Sequence, residues 1–266
     1  MISDLSPSTD SLTGKTAMVT GSSSGIGRAI ATSLAEQGVN TLIHCRRDSE
    51  SIREVQSEIL DLGVDCQIIF QDFLESPDWD AMIAEAWNWK GRVDFWINNA
   101  GGDVLTGTLS EQTLEEKLKL LWQVDVNSTL MLSRRAGSKM RNNSTGPGRN
   151  VILNMGWDQA AQGMAGDSGE LFATTKGAIM AMTKSLAQSL SPEVRVNCIA
   201  PGWIKTEWGE QASEYWAQRA TQDSLMERWG TPKDIAEVAL FLCSPAASFV
   251  SGQIIPVNGG FKKHTN

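Results

Sequence analysis

The sequence predicts an α/β fold: a single-domain, doubly wound parallel sheet of about seven strands with helices on both faces. Three observations predict it. Short apolar runs alternate with longer segments of helical period along the whole chain. The runs are apolar at successive positions, as strands covered on both faces are. Glycine or proline marks the joints, at Gly38, Gly63, Gly91, Gly146-Pro147-Gly148 and Pro201-Gly202. A β-α-β-α order of this kind needs crossover helices, and crossover helices make parallel strands.

The elements follow in turn. Lys15-Thr16-Ala17-Met18-Val19-Thr20 is the first strand, and a helix runs from about Gly25 to Gln37, stopped by Gly38. Asn40–Cys45 is a strand, Ser49–Leu62 a helix, Asp65–Gln71 a strand, Ser76–Lys90 a helix and Arg92–Asn98 a strand. Glu111–Arg141 carries one or two long helices. Asn150–Met155 is a strand, Glu170–Leu190 a helix, Val194–Ala200 a strand, Pro232–Cys243 a helix and Gln253–Val257 the last strand. Residues 13–261 make one domain, with 1–12 and 262–266 as tails. The polar, aromatic segment 203–230 breaks the alternation and reads as a lid inserted over a site.

Composition narrows the function classes. The chain has 266 residues, 41% hydrophobic and 20% charged, which fits a globular protein and not a disordered, collagenous or disulfide-stapled one. A net charge of −8 argues against a nucleic-acid partner. No apolar run has the roughly 18 residues a membrane helix needs, so no membrane partner is expected. The start of the chain lacks a basic head and an apolar stretch, so the cytoplasm is the expected location. Cys45, Cys66, Cys198 and Cys243 form no CxxC pair, and apolar neighbours suggest buried reduced thiols. With two histidines, one of them His264 in the polar tail, a zinc site or a histidine-based triad lacks parts, and no metal is expected. There are ten tryptophans and one tyrosine.

The joint after the first strand reads Thr20-Gly21-Ser22-Ser23-Ser24-Gly25-Ile26-Gly27. Glycines there let the backbone turn tightly and approach a pyrophosphate. The helix behind them offers free N–H groups and a positive dipole end, the arrangement of a Rossmann-type fold. Gly21, Ser23, Ser24, Gly25, Ile26 and Gly27 are the candidate phosphate contacts.

Further motifs follow in order: Asn98-Asn99-Ala100-Gly101 after the fourth strand, Pro201-Gly202 after the sixth, and Ser251-Gly252-Gln253-Ile254-Ile255-Pro256-Val257-Asn258-Gly259-Gly260 near the end. With the glycine-rich joint, this set resembles the short-chain dehydrogenase/reductase family over about residues 12–260, and within it the 3-oxoacyl-acyl-carrier-protein reductases. The resemblance implies a nicotinamide cofactor, hydride transfer between it and a small-molecule carbonyl or alcohol, and a homotetramer formed through the long helices. It places Asn99, Ala100, Gly101, Pro201, Gly202, Ile204 and Thr206 at the cofactor, Asp72 at the adenine amino group and Phe73 beside the adenine ring.

Cofactor choice has a physical argument of its own. A carboxylate ending the second strand would hold the ribose hydroxyls and repel a 2′-phosphate. Here Cys45 is followed by Arg46 and Arg47, two guanidinium groups suited to a phosphate. NADP(H) is preferred and NAD(H) remains open, since two solvated surface arginines are the alternative reading.

The reaction end departs from the family pattern. The family uses a tyrosine as proton donor, a lysine four residues later, a serine on the substrate oxygen and an asparagine in the preceding long helix. Lys176 and Asn127 match the lysine and the asparagine. Phe172 stands at the tyrosine's place, one helical turn from Lys176, and Trp157 stands where the serine is expected. Asp158 is the preferred substitute acid, provided burial raises its pKa; capping the local turn is its alternative role. Glu170 and Tyr215 are the other candidates. Lys176 either takes part in a proton relay or keeps only the ribose contact that the resemblance implies, marking a cofactor site without an acid. Asn127 either relays a proton through water or only bends its helix. Trp157, Phe172, Trp203 and Trp208 are the candidate substrate-pocket walls, fitting a flat or long apolar, 3-oxoacyl-like or aromatic substrate.

Three functions follow: an oxidoreductase with a non-standard proton donor, a catalytically silent homologue that binds nucleotide as a structural or regulatory subunit, and a non-redox enzyme such as a lyase. Carbonyl-dependent NADPH oxidation marks the first. Binding without turnover marks the second, and activity independent of nicotinamide the third.

Overall fold

A computed structural model describes residues 12–75, 77–206, 209 and 214–262. Seven strands form one sheet, all neighbours parallel, in the order β3-β2-β1-β4-β5-β6-β7. They are β1 (Thr16–Val19), β2 (Asn40–Cys45), β3 (Cys66–Phe70), β4 (Phe95–Asn98), β5 (Asn150–Met155), β6 (Val194–Pro201) and β7 (Ile254–Val257). The helices between them are α1 (Gly25–Glu36), α2 (Glu50–Asp61), α3 (Trp79–Lys90), α4 (Leu114–Leu121), α5 (Ser128–Asn142) and α6 (Asp167–Leu190). After β6 come α7 (Glu214–Asp223) and α8 (Pro232–Cys243).

Strand periodicity assigns the two cores. Successive side chains point to opposite faces, so Ala17, Val19, Phe95, Ile97, Val151 and Leu153 face α1, α2 and α8, meeting Ile30, Leu34, Ile52, Val55, Ile235 and Ala239. Met18, Trp96 and Ile152 face the other way, against Met82, Trp87, Leu132, Met140, Leu186 and Leu190 of α3, α5 and α6. Both faces are apolar because both are covered.

Local chemistry sets the helix ends. The Asp78 carboxylate accepts from the Ala81 N–H at 2.9 Å and starts α3, and Gly91 stops it in the left-handed region at φ 74°. This places the start of α3 at Trp79; Ser76, where the sequence suggested it, lies outside the described residues. Reciprocal capping boxes, Thr113 with Glu116 and Thr231 with Asp234, open α4 and α8. The expected Glu111–Arg141 run is α4 and α5 joined through a π-helical turn, Trp122–Asn127. The helix anticipated from Glu170 begins a turn earlier at Asp167, after Gly166 at φ 94°.

The chain reverses direction across the sheet between β1 and β4, since β1 leads outward to β2 and β4 leads the other way to β5. That switch opens a crevice above the carboxyl ends of the strands, where ligands bind in open α/β sheets. Trp203, Ile204 and Thr206, with Trp216 of α7, line one side of it. Among the described residues no helix is long and apolar enough to cross a membrane. The four cysteines are free thiols; Cys45, Cys198 and Cys243 are buried and Cys66 is half-buried.

Candidate active site

One continuous cavity of about 970 Å³ lies over the switch, running from the glycine-rich joint to Trp203 and Trp216. Its glycine-rich end is built on close backbone approach. A Cβ at Gly21 would stand 2.7 Å from Ala100 Cα, and one at Gly27 would stand 2.1 Å from the Gly21 carbonyl oxygen. Gly21 also sits at φ 64° and Gly25 at φ 55°, where a side chain is strained. Asn99 ties the joint to β4: its Nδ2 donates to the Thr20 and Gly21 carbonyls at 3.0 and 2.9 Å. Thr20 Oγ1 accepts from the Asn99 and Ala100 N–H groups at 2.9 and 3.0 Å.

Ser22 turns inward and donates to the Val19 carbonyl at 2.6 Å, so it is part of the frame. Ser23, Ser24, Gly25, Ile26 and Gly27 line the cavity. Ser24 occupies the N-cap of α1, yet its hydroxyl makes no capping bond. The first-turn donors of α1 therefore face the cavity without a side-chain acceptor, as an anion site requires.

His44 is a residue of this end that sequence reasoning did not single out. The Gly21 N–H donates to its Nδ1 at 3.2 Å, its Nε2 donates to the Gln71 carbonyl at 3.0 Å, and its ring stacks on Phe73 at 4.5 Å. Burial lowers its pKa from 6.5 to about 4, so the ring is neutral and fixes the joint's first N–H. A histidine ending a buried strand beside the glycine joint was the available signal.

Arg46, Asp72 and Phe73 line the same end. Asp72 Oδ1 accepts from the Leu74 and Glu75 N–H groups at 2.9 and 3.3 Å. Arg47 does not line the cavity; its guanidinium is 71% exposed and 4.0 Å from Asp72 Oδ2. Asn99, Ala100, Gly101, Pro201, Gly202, Ile204 and Thr206 line the central stretch.

The reaction end brings Trp157, Phe172, Lys176, Trp203 and Trp216 together. The Trp157 and Phe172 rings meet edge-on at 6.1 Å, while Trp203 packs on Trp216 at 5.4 Å and on Trp229 at 6.1 Å. Trp208 lies outside the described residues. Lys176 Nζ forms an ion pair with the buried Asp125 at 2.8 Å, and Asp125 Oδ1 accepts from the Gly102 N–H at 2.7 Å. Asp125 was not singled out in the sequence, although it stands two residues before Asn127 in the interrupted helix. Asn127 itself does not line the cavity; its Nδ2 donates to Gln123 Oε1 at 3.0 Å within the π turn.

The expectation that Asp158 projects into the cleft is corrected. Its side chain turns beneath the Pro201–Gly202 strand end, where Asn258 Nδ2 donates to Oδ2 at 3.1 Å, and it does not line the cavity. The physical cause is the short 3-10 turn Asp158–Ala161, which rotates residue 158 away from Trp157 and buries it. Tyr215 is exposed and packs edge-on against Trp216 at 5.1 Å, and neither it nor Glu170 lines the cavity.

Burial does push the Asp158 carboxyl up, from 3.8 to about 6. A raised carboxyl weakens the folded state above pH 6, and that cost is relieved as pH falls toward 3.8. The lowered histidine acts oppositely: its contribution is present above 6.5 and lost as pH falls to about 4. Each is worth about 3 kcal/mol and the two nearly cancel. In Asp158→Asn the histidine acts alone. The melting temperature of the variant minus that of the parent is expected to rise by about 5 °C between pH 4 and pH 7.5. Scanning calorimetry across that range checks it, and a gap that stays flat would contradict the buried, protonatable carboxyl.

Comparison with known proteins covers nearly the whole chain. A family model described as Enoyl-(Acyl carrier protein) reductase matches residues 21–262. A 3-oxoacyl-acyl-carrier-protein reductase of Aquifex aeolicus is 35% identical over 254 residues, covering 94% of this chain and 98% of that one. The Staphylococcus aureus protein of the same name is 31% identical over 250 residues, covering 92% and 97%. Among solved structures, a 7α-hydroxysteroid dehydrogenase complexed with NADH and 7-oxoglycochenodeoxycholic acid superposes with a TM-score of 0.83. It is 32% identical, with 96% of this chain and 97% of that one covered.

Proposed function

The chain belongs to the short-chain dehydrogenase/reductase family of oxidoreductases, and on that premise we propose that it reduces an uncharged carbonyl compound with NADP(H), without a tyrosine as proton donor. The observation that carries this reading is the single cavity that joins an intact phosphate cradle to Lys176. The residues present fit the cofactor. The uncapped start of α1 suits a pyrophosphate, and Arg46, with Cys45 where a carboxylate would stand, suits a 2′-phosphate. Phe73, held flat by His44, offers the adenine an apolar side.

When bound, the cofactor supplies a hydride to the carbonyl carbon, and a proton must reach the oxygen. Phe172 holds no proton to give. Lys176 lines the cavity on the same face of α6, and its ammonium carries the proton to the oxygen through a water. Asn127 shapes the π turn that presents Asp125 to Lys176. Gly101, Gly102 and the Trp157–Phe172 pair wall the cavity, and Trp203 with Trp216 roofs it, which suits a 3-oxoacyl-like or aromatic body. A homotetramer belongs to this reading as well, α4 and the π turn presenting the exposed side chains of Leu114, Leu118 and Trp122 as the self-association face. Sedimentation at micromolar concentration decides it, a monomer throughout counting against it. Free thiols suit work in the cytoplasm.

The test combines cofactor titration with turnover. NADPH is expected to quench tryptophan emission with micromolar affinity, and a panel of keto-esters, quinones and acyl thioesters to drive its oxidation. In Arg46→Ala, NADPH affinity is expected to fall about tenfold and NADH affinity to stay within threefold, one charge-assisted phosphate contact being worth roughly 1.5 kcal/mol. Equal losses for both nucleotides would reject the phosphate role.

A further inference from the structure

At the reaction end of the cavity the polar side chains are few and mostly committed. Asp103 accepts from the Leu105 N–H at 2.8 Å, the Thr106 N–H at 3.2 Å and the Thr106 hydroxyl. Lys176 is paired with Asp125 at 2.8 Å. Ser168 differs. It lines the cavity, it is half-buried, and its hydroxyl bonds no group among the described residues.

The cause is positional. Thr174, Thr175, Thr183 and Ser189, farther along α6, each donate to the carbonyl four residues back. Ser168 is the second residue of α6, ahead of any such helical carbonyl, so its hydroxyl keeps both donor and acceptor capacity. Ser168, Phe172 and Lys176 stand at four-residue steps and all line the cavity, so they form one face. At 1.5 Å per residue, Ser168 lies about 6 Å along the helix from Phe172 and about 12 Å from Lys176. Beside this face stands Trp157, edge-on to Phe172, and the lining stretch from the end of β5, Met155-Gly156-Trp157, offers no hydroxyl.

We propose that Ser168 is a second anchoring point for the substrate, which makes the preferred compound a carbonyl carrying a further hydroxyl or carbonyl oxygen across a flat apolar segment that rests on Phe172. This deepens the reductase reading and rests on it for which of the two oxygens reacts. One oxygen lies toward Lys176 and the cofactor, the apolar segment lies along the wall that Phe172 and Trp157 form together, and the second oxygen meets Ser168. A pocket with few polar groups gains orientation from such a contact.

Two near-isosteric probes separate the contributions: 4-(hydroxymethyl)acetophenone, whose second oxygen lies across the ring, and 4-ethylacetophenone, which lacks it. Isothermal calorimetry on the full chain, with and without saturating NADP⁺, is expected to show the hydroxymethyl ketone binding about five- to tenfold more tightly, the worth of one neutral hydrogen bond. Ser168→Ala is expected to erase that preference, Ser168→Thr to retain it, and neither to alter NADPH affinity. Equal binding of the two ketones, no binding of either, or a preference that survives Ser168→Ala overturns the proposal. NADPH oxidation with the same ketones is read separately. Ketone preference without oxidation would defeat the reductase reading and leave the anchoring role standing.

Discussion

Phe172→Tyr is expected to raise carbonyl-dependent NADPH oxidation about 100-fold. The substitution adds one oxygen at the para position of a ring that already lines the cavity, so little repacking is needed. The new phenol would stand one helical turn from Lys176 on the same face of α6. A positioned general acid contributes roughly 10²–10⁴ in rate; the low end applies if, as proposed above, Lys176 delivers a proton through water. On the resemblance, Trp157 stands at the place of the family's serine, so in the proposed reaction the substrate oxygen keeps one donor fewer, an omission worth a further 10²–10³. Initial rates at saturating NADPH measure the gain, with cofactor affinity as the control. A rate within threefold of the parent while NADPH binds normally would show that the missing phenol does not limit turnover.

The second large effect is at the cradle. Gly27→Ala is expected to weaken NADPH binding at least 100-fold and to lower the melting temperature by several degrees. The added Cβ would stand 2.1 Å from the Gly21 oxygen and 2.5 Å from Asn99 Nδ2. Both neighbours are fixed, one by backbone and the other by its two bonds to the Thr20 and Gly21 carbonyls, so the joint has to open. Opening it moves the first-turn donors of α1 away from the phosphates and releases the Gly21 contact with His44. Gly177→Ala is the control, since a Cβ there meets nothing within 4 Å; it leaves cofactor affinity unchanged. An affinity for Gly27→Ala within threefold of the parent would remove this account of the cradle.

Most of the fold is legible in the sequence because its signals are local. Asn40–Cys45 and Asn150–Met155 are strands with the bounds that their apolar runs suggest, and the glycine joint sits between β1 and α1. The failures share one cause. The run after Glu111 has a helical period throughout, and period alone carries no sign of the π turn at Trp122–Asn127. Asp158 follows Trp157 directly, so adjacency suggested a shared direction, and the 3-10 turn that begins at Asp158 denied it.

What the sequence alone determined is therefore the order of strands and helices, the glycine-rich joint between β1 and α1, and the absence of a phenol four residues before Lys176. Spacing and side-chain chemistry within a few residues decide those matters. What only the tertiary structure decided is which polar groups pair: Gly21 with His44 at a separation of 23 residues, Asn258 with Asp158 at a separation of 100, and Lys176 with Asp125. Those pairings depend on the order in which the strands assemble. Sheet order brings together chain segments whose sequences carry no mark of one another, and desolvation there makes each buried polar group depend on the partner it meets.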